Sequence, residues 1–424
     1  MKKVVKIVLL IIISFMCSFP VYAKEVNMEN VILLDVARHY YTVDEIKSII
    51  DGLSKYDNSS LQLHLSDDEN VGIECNYLDQ TVGNATLNNG IYTNSKTGKK
   101  FLSYSQINEI INYAKQRNVE IIPEIDVPAH MNGFFKLAIL KFGEEYVKTR
   151  YNHDNPNNSG IAWGSGSEEG NIDLMSPNAK PFIKNILDEY TDAFKELKYF
   201  HIGFDEYTFR PEMKIDYINE LYTYISSKGF TMRMWNDAIT NENIDNLISN
   251  NIQITYWGSK EDDIYSTNYA TVPDFQNRGF KVIISNKHYL FFVPSANSTS
   301  AENLAYAIND IANNWDLNKW NYTFNNPLEN YNNILGAMVC VWGEEANNLN
   351  NSIIISHSLN MHKTMVSKMP KITVPDTYEN GTQKYENIPD TAKFNKGITI
   401  AAGIILFVFG IVFTIYGLKR RTIE

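Results

Sequence analysis

Short apolar runs recur along the chain, and longer segments in which apolar residues return every three or four positions lie between them. Each pair of runs is separated by enough residues for a helix. Eight such runs cover residues 31–35, 60–65, 119–125, 198–204, 230–235, 252–257, 280–285 and 336–342. Strand and helix in alternation predict an α/β domain, and eight units predict a single (β/α)8 barrel of the TIM type.

Helix start signals fall between the runs. Thr42 and Glu45 have the spacing of a capping box and precede the apolar positions Ile46 and Ile49. The pair 176–177, Ser followed by Pro, predicts a helix whose N-cap is Ser176 and whose first residue is proline. The repeating order is therefore strand and then helix.

Polar insertions follow several of the predicted strands. The longest cover residues 66–100, 131–172 and 286–302. Because each insertion follows the carboxyl end of a strand, we expect them on the face where barrel enzymes bind their substrates.

Two adjacent carboxylates, Asp205 and Glu206, stand where the run 198–204 ends. Neighbouring side chains on a strand point to opposite faces, so both can serve one substrate only where the strand stops. Other polar and aromatic residues end the remaining runs: Asp35, Arg38, Asp67, Asp68, Asp126, His130, Trp235, Asp237, Trp257, Asn286, Tyr289, Trp342 and Glu344. In a barrel they would converge on one mouth. Aromatic faces contact the C–H surface of a sugar ring, and carboxylates and arginine bind its hydroxyls, so the pattern predicts a carbohydrate site.

The segment 201–206 reads His-Ile-Gly-Phe-Asp-Glu and closely resembles the His-x-Gly-x-Asp-Glu signature of glycoside hydrolase family 20, the beta-N-acetylhexosaminidases. The resemblance extends over residues 31–368. Its further blocks are residues 34–41, 63–70, 122–131, 233–237, 254–257 and 341–345. Phe204 departs from the signature, because the family usually has glycine or another small residue there.

The resemblance implies a role for each site residue. Glu206 would be the general acid, and as a carboxylate it would later activate water. The nucleophile would be the substrate's own 2-acetamido oxygen, with Asp205 orienting that group and Tyr289 donating a hydrogen bond to its oxygen. Retention of configuration at the anomeric carbon follows.

The remaining predicted residues bind the sugar or support the acid. The resemblance implies an aromatic box of Trp235, Trp257 and Trp342, contacts of Arg38 and Glu344 with the outer hydroxyls, and support of the acid by Asp67 and His130. Whether Asp67 or Asp68 faces the histidine stays open. His130 lacks a partner at His-x-x-x-His spacing, so we predict no metal and no cofactor, and we expect His39 to be structural.

The first 23 residues have the pattern of a signal peptide. Lys2, Lys3 and Lys6 precede an apolar stretch, and residues 21–23, Val-Tyr-Ala, have the spacing of a cleavage site after Ala23. Cleavage would leave Cys75 and Cys340, too few for a disulfide framework. Cys340 lies inside an apolar run, and we expect it to be a small core residue.

The C-terminal residues predict an anchor beyond a catalytic domain of residues 27–369. A polar linker, 370–396, precedes an uncharged span, 397–418, and a basic tail, 419–424, which favours a cytoplasmic C-terminus and an enzyme on the extracellular face. Residues 388–392 resemble the Leu-Pro-x-Thr-Gly sorting signal that sortases cut, although Ile388 and Ala392 depart from it. Covalent attachment to the cell wall through Thr391 and a retained membrane anchor both remain open.

The net charge narrows the choice of partner. Removing residues 1–23 would take it from −11 to −14. An acidic surface disfavours nucleic acid and could attract a cationic polymer such as partly deacetylated poly-N-acetylglucosamine. Chito-oligosaccharides, peptidoglycan fragments and host glycans remain alternative substrates. A surface lectin or adhesin without turnover is a further alternative, against which the presence of Asp205, Glu206 and Tyr289 argues.

Overall fold

A computed structural model describes residues 23–151, 170–207, 210–258, 268–321 and 327–375. The strands in chain order are β1 (Ala23–Asn27), β2 (Glu29–Asp35), β3 (Ser59–His64), β4 (Ala85–Asn88), β5 (Ile91–Asn94), β6 (Lys100–Phe101), β7 (Val119–Glu124), β8 (Tyr199–His201), β9 (Thr231–Trp235), β10 (Gln253–Tyr256), β11 (Lys281–Ile284), β12 (Phe291–Phe292), β13 (Ile334–Val341) and β14 (Lys371–Pro375). The helices are α1 (Val43–Leu53), α2 (Tyr104–Lys115), α3 (Asn132–Phe142), α4 (Glu144–Tyr151), α5 (Ala179–Ala193), α6 (Lys214–Ser227), α7 (Val272–Asn277), α8 (Lys287–Leu290), α9 (Ala301–Asn314) and α10 (Asn351–Lys368).

Eight parallel strands close a barrel within the unit Asn27–Pro370. Their order is β2, β3, β7, β8, β9, β10, β11 and β13, and β13 pairs with β2 to complete the ring. Each of the eight predicted runs overlaps one of these strands, so the predicted barrel is confirmed. The short strand β12 pairs with the end of β13, beyond the point where β11 leaves it.

Predicted and observed strand lengths differ most at the run 198–204, because β8 ends at His201. Gly203 (φ 65°) and Phe204 (φ 70°) take left-handed backbone conformations, which cannot continue a strand. The chain therefore turns just before Asp205. Because of this turn, the side chains of Asp205 and Glu206 need not point to opposite faces, as they would on a regular strand.

Apolar side chains fill the barrel interior. A buried cluster joins opposite strands through Val31, Leu33, Ile122, Trp235, Ile283, Met338 and Cys340. Cys340 is fully buried, as predicted for a small core residue, and its Sγ lies 3.1 Å from the Ser285 hydroxyl.

A buried ion pair lies at the amino-terminal end of the barrel. Arg233 of β9 donates to both carboxylate oxygens of Glu29 on β2, at 3.0 and 2.8 Å. Ser60 donates to the same carboxylate, and Arg233 also donates to the side chain of Gln253. This polar layer ties four strands together below the apolar cluster.

The helix start signals have different outcomes. Thr42 and Glu45 form the predicted capping box of α1, and Ile46, Ile49 and Ile50 are buried beneath it. The prediction of an N-cap at Ser176 is wrong by two residues, because α5 begins at Ala179 with Asn178 as its N-cap. Residues 173–176 form a turn first, in which the Ser176 N–H donates to the Asp173 carbonyl.

The insertion 66–100 contains secondary structure that the sequence did not predict. Strands β4, β5 and β6 form an antiparallel sheet.

The chain ends contribute one further sheet, in which β1 pairs with β14. The linker prediction is wrong for residues 371–375, which are β14, a segment with apolar residues at 372 and 374. The predicted signal peptide lies outside the described residues except for Ala23, as do the sorting-like motif 388–392, the span 397–418 and the tail. Among the helices that the structure describes, none is long and apolar enough to cross a membrane.

Candidate active site

A cavity of about 180 Å³ opens at the carboxyl ends of the barrel strands. It is lined by Arg38, Asp67, His130, Asp205, Glu206, Trp235, Trp257, Phe291, Val293, Trp342 and Glu344. Of the ten residues to which the family resemblance gave a role, all except Tyr289 are in this lining, although they come from seven different strand ends. The expected convergence on one mouth is therefore present.

The two catalytic candidates differ in exposure. The side chain of Asp205 is 16% exposed, whereas that of Glu206 is 59% exposed and lies at the rim. Glu206 has a left-handed backbone (φ 51°). Burial, followed by the Asp205 charge, raises the pKa of Glu206, which favours the protonated form that a general acid needs.

A second carboxyl group, Asp126, lies behind Asp205. Burial and then the Asp205 charge raise the pKa of Asp126 well above its usual range. Asp126 Oδ1 accepts the Phe204 N–H at 3.0 Å, while Asp126 Oδ2 and Asp205 Oδ1 find no other hydrogen-bond partner within the described part of the chain. Burial also raises the pKa of Asp205, against the charge of His130 and a hydrogen bond with Asp126, so this pair of neighbouring carboxyl groups favours holding a proton, most strongly on Asp126.

Gly203 leaves room for that arrangement. A Cβ at this position would lie 2.0 Å from Asp126 Oδ1, and the backbone is left-handed. The glycine of the signature is thus required both by the turn and by the close approach of the carboxyl group.

His130 lies between two pairs of acids. Its Nδ1 is 3.3 Å from Asp68 Oδ2 and 3.8 Å from Asp67 Oδ1, so both aspartates face the histidine. Its Nε2 is 3.6 Å from Glu206 Oε2 and 3.9 Å from Asp205 Oδ2. Burial lowers the pKa of His130, but the surrounding carboxylates outweigh it and raise this pKa to about 10. His130 is therefore an imidazolium at neutral pH, in contact with both catalytic candidates.

Arg38 is surrounded by carboxylates. Its guanidinium donates to Asp35 at 3.0 Å and Glu69 at 3.1 Å, and it lies 2.6 Å from Asp67. It also lies 5.5 Å from the ring centre of Trp342. Its planar fork is thereby fixed at one side of the cavity.

Aromatic rings form another wall of the cavity, adjoining Arg38 at Trp342. Trp257 stacks on Phe291 with ring centres 6.2 Å apart, and Phe291 meets Trp342 edge-on at 5.7 Å. Trp235 completes the wall, 6.0 Å from Trp342. The sequence had placed Phe291 inside a polar insertion; its apolar pair 291–292 was the signal that could have revealed β12.

A buried carboxylate below the cavity connects this wall to the acids. Glu124 accepts a hydrogen bond from the Trp235 indole N–H at 2.8 Å, and the ring nitrogens of His64 and His201 approach it to 3.2 Å. The other nitrogen of His64 lies 2.7 Å from Asp67. Burial would raise the pKa of Glu124, but the two histidines outweigh it and lower this pKa well below its usual range.

Sequence reasoning assigned no role to Glu124 or to His64. Both lie in segments that resemble family 20. An ionisable residue inside an apolar run was the sequence feature that could have revealed their roles.

Two groups of acids with His130 have ligand atoms close enough together to consider a metal ion: Asp67, Asp68 and His130, and Asp126, His130 and Asp205. Both require neutral His130. A metal ion would have to displace the proton that the surrounding carboxylates favour on His130.

The family model described as "Glycosyl hydrolase family 20, catalytic domain" matches residues 31–214 and 209–354. The chain belongs to glycosyl hydrolase family 20. The match includes the turn that carries Asp205 and Glu206 and every residue that lines the cavity.

Relatives within family 20 agree with this assignment. The crystal structure of Dispersin B shares 33% identity with a TM-score of 0.72, covering 81% of this chain and 99% of that one. Lacto-N-biosidase of Bifidobacterium bifidum is 26% identical over 58% of this chain, and a beta-hexosaminidase of Vibrio vulnificus is 22% identical over 62%. The chain spans 21% and 36% of the lengths of these two curated relatives.

Two positions qualify the family-based expectations. Tyr289 lies on α8, is 7% exposed, and packs edge-on against His288, outside the cavity lining; its predicted role stays a prediction. Phe204, which departs from the family 20 signature, is fully buried and packs on Tyr207 and Tyr217, 5.9 and 6.3 Å away.

His39 has the structural role expected, since its ring nitrogen bonds Asn351 at 2.7 Å.

Proposed function

We propose that the protein is a beta-N-acetylhexosaminidase that hydrolyses beta-linked N-acetylglucosamine by a retaining, substrate-assisted mechanism. The observation that carries the proposal is the pair of adjacent carboxyl groups with opposite environments at one cavity. Glu206 is at the exposed rim with a raised pKa, whereas Asp205 is mostly buried, beside His130 and Asp126, whose own pKa is raised well above its usual range.

In the proposed first step, Glu206 donates its proton to the glycosidic oxygen as the bond to the anomeric carbon breaks. The acetamido oxygen of the same sugar attacks that carbon and forms an oxazolinium ion. Asp205 accepts a hydrogen bond from the acetamido N–H and stabilises the positive charge. In the second step the Glu206 carboxylate takes a proton from water, and the water oxygen bonds to the anomeric carbon as its bond to the acetamido oxygen breaks. The oxazolinium ring opens, the acid form of Glu206 is restored, and the configuration is retained.

The size of the cavity supports action on one terminal sugar. At about 180 Å³ it is smaller than the roughly 300–1,000 Å³ of sites that hold drug-sized ligands. A single ring would lie between the Trp257–Phe291 stack and Arg38, with Glu344 beside it. We therefore propose release of single residues from the non-reducing end.

Poly-N-acetylglucosamine of a biofilm matrix is the proposed polymer. The net charge of −11 supports it, because partly deacetylated chains are cationic and an acidic surface attracts them. Sequence identity of 33% with Dispersin B over nearly all of that chain supports the same choice.

The test is turnover of an aryl N-acetylglucosaminide by the purified protein, followed by the polymer. An aryl glucoside without the acetamido group should not be hydrolysed, and a thiazoline analogue of the intermediate should inhibit strongly. Glu206→Gln should lose activity on substrates with poor leaving groups and much less on activated aryl glycosides. Failure of the thiazoline to inhibit would refute substrate assistance, and absence of turnover with retained sugar binding would favour a lectin.

We further propose that the enzyme acts from the extracellular face. The sequence patterns at residues 1–23, 388–392 and 397–418 support this proposal. If sortase joins Thr391 to the cell wall, muralytic digestion should release the protein without detergent, and Thr391→Ala should leave it in the membrane fraction. A peptide that is intact across residues 391–392, recovered from the mature surface protein, would rule out the sortase route.

A further inference from the structure

Asp237 lies behind the cavity lining and contacts two residues of that lining, Glu206 and Trp257. It lies two residues beyond β9 and is only 6% exposed. Its Oδ2 accepts the backbone N–H of Glu206 at 2.7 Å, and its Oδ1 accepts the indole N–H of Trp257 at 3.1 Å. One buried carboxylate thus holds the acid candidate and part of the aromatic wall.

The bond to Glu206 is made where the backbone most needs support. Glu206 has φ 51°, a conformation that is strained for a residue with a Cβ and persists only when its surroundings enforce it. A short hydrogen bond from its N–H to a carboxylate is among the stronger contacts available to do so. Since the side chain is 59% exposed, the backbone determines where the carboxyl group lies.

The bond to Trp257 acts on the indole alone. The backbone N–H groups of Trp257 and Gly258 donate to the neighbouring side chain, Asn236, at 2.9 and 3.2 Å. Asn236 also donates to the Gly258 carbonyl at 2.7 Å. Losing Asp237 would therefore remove the hydrogen bond that orients the Trp257 indole and leave its stacking on Phe291, while its backbone stays in place.

We propose that Asp237 is a positioning residue that sets the distance between the proton donor Glu206 and the sugar-binding face of Trp257. The inference rests on the proposed function, in which Glu206 protonates the leaving oxygen of a sugar held against that face. Only a carboxylate supplies an acceptor oxygen to each of the two donors. Asparagine keeps the shape but presents an NH2 group to one of them.

The test compares three variants of the full chain on two N-acetylglucosaminides, one with a poor leaving group and one with an activated aryl group. Asp237→Asn should lower kcat on the poor leaving group about 10- to 100-fold, the loss that removing one hydrogen bond to a charged group gives. The loss on the activated substrate should be smaller, because that leaving group needs less protonation. Trp257→Phe, which removes the indole N–H together with part of the ring surface, should raise KM with unchanged sensitivity to the leaving group.

Glu29→Gln is the matched control. It also alters a buried carboxylate that accepts several hydrogen bonds, but at the opposite end of the barrel. We expect lower thermal stability and unchanged leaving-group sensitivity. If Asp237→Asn loses the same factor on both substrates, as a loss of folded protein would produce, the positioning role is refuted.

The remaining outcomes are also decisive. If Asp237→Asn does not fold, Trp257→Phe carries the test, and an unchanged KM in that variant would overturn the proposed link. Absence of turnover by the wild-type protein would instead refute the proposed function, and the positioning role would fall with it.

Discussion

Replacing Glu124 by glutamine should destabilise the barrel more than any exposed carboxylate replacement. Glu124 is fully buried; it accepts hydrogen bonds from the Trp235 indole and the Gln62 amide, and the Nδ1 atoms of His64 and His201 lie 3.2 Å from it. Glutamine would turn an NH2 group towards some of these donors. It would also remove the negative charge that His64, whose pKa is raised well above its usual range despite burial, requires.

The size of the effect follows from that environment. Breaking a buried ion pair by removing one partner costs about 3–5 kcal/mol, against a total stability of about 5–15 kcal/mol for a typical domain. At roughly 2–4 °C per kcal/mol, the melting temperature should fall by about 10 °C. Because the folded pKa of Glu124 is depressed, its contribution is present above the unfolded pKa near 4.3 and is lost as pH falls. The difference between variant and wild type should therefore narrow in acid.

The assay is thermal unfolding followed by circular dichroism at neutral pH and again near pH 4. Glu109→Gln is the control, since Glu109 is 55% exposed and pairs with Lys47 at 2.5 Å on the surface. Exposed pairs contribute about 0–1 kcal/mol, so its melting temperature should hardly change. Equal shifts for the two variants would refute the view that Glu124 is a buried, charged centre of the site.

Three further predictions concern the cavity itself. The stability contributed by His130 is complete below its unfolded pKa near 6.5 and is lost as pH rises towards about 10. The free energy of unfolding in urea should therefore fall over that range for the wild type and stay level for His130→Gln. Gly203→Ala should lower kcat, because its Cβ would lie 2.0 Å from a buried carboxyl oxygen. Gly90 is also left-handed but has nothing within 4 Å, so Gly90→Ala should keep its kcat and lose only about 1–3 kcal/mol of stability. Equal activity of the two variants would contradict the steric argument. Arg38→Lys should raise KM at least about tenfold, because an ammonium cannot replace a planar fork that binds several groups; an unchanged KM would remove Arg38 from substrate binding.

The barrel was predictable because each of its strands is an apolar run bounded by polar residues. The ends of the strands were less predictable, since they depend on single residues. Gly203 and Phe204 shorten β8 through left-handed backbone, and the alternation of apolar residues in 198–204 gives no sign of it. The short strand β12 was hidden for a similar reason: two residues are too few to show a period.

The site was predictable where a residue follows a strand directly, and less so where its role depends on contacts across the barrel. Asp205, Glu206 and the three tryptophans were found by position and family resemblance. Asp237 stood at a predicted strand end, yet its bonds to residues 31 positions before and 20 positions after it are visible only in the fold. The raised pKa of Asp126 likewise arises from burial beside Asp205, which sequence spacing does not convey.

The buried pair of Glu29 and Arg233 has a consequence for how the chain folds as it is synthesised. The two residues are 204 positions apart, so at about 5–20 residues per second the arginine is made roughly 10–40 s after the glutamate. Until then a nascent half-barrel ending before β9 would have to bury an anion without its cation. We expect such a fragment to stay open to solvent at that end and to need shielding from aggregation on the ribosome. The barrel can close its base only once more than half of the polypeptide has emerged.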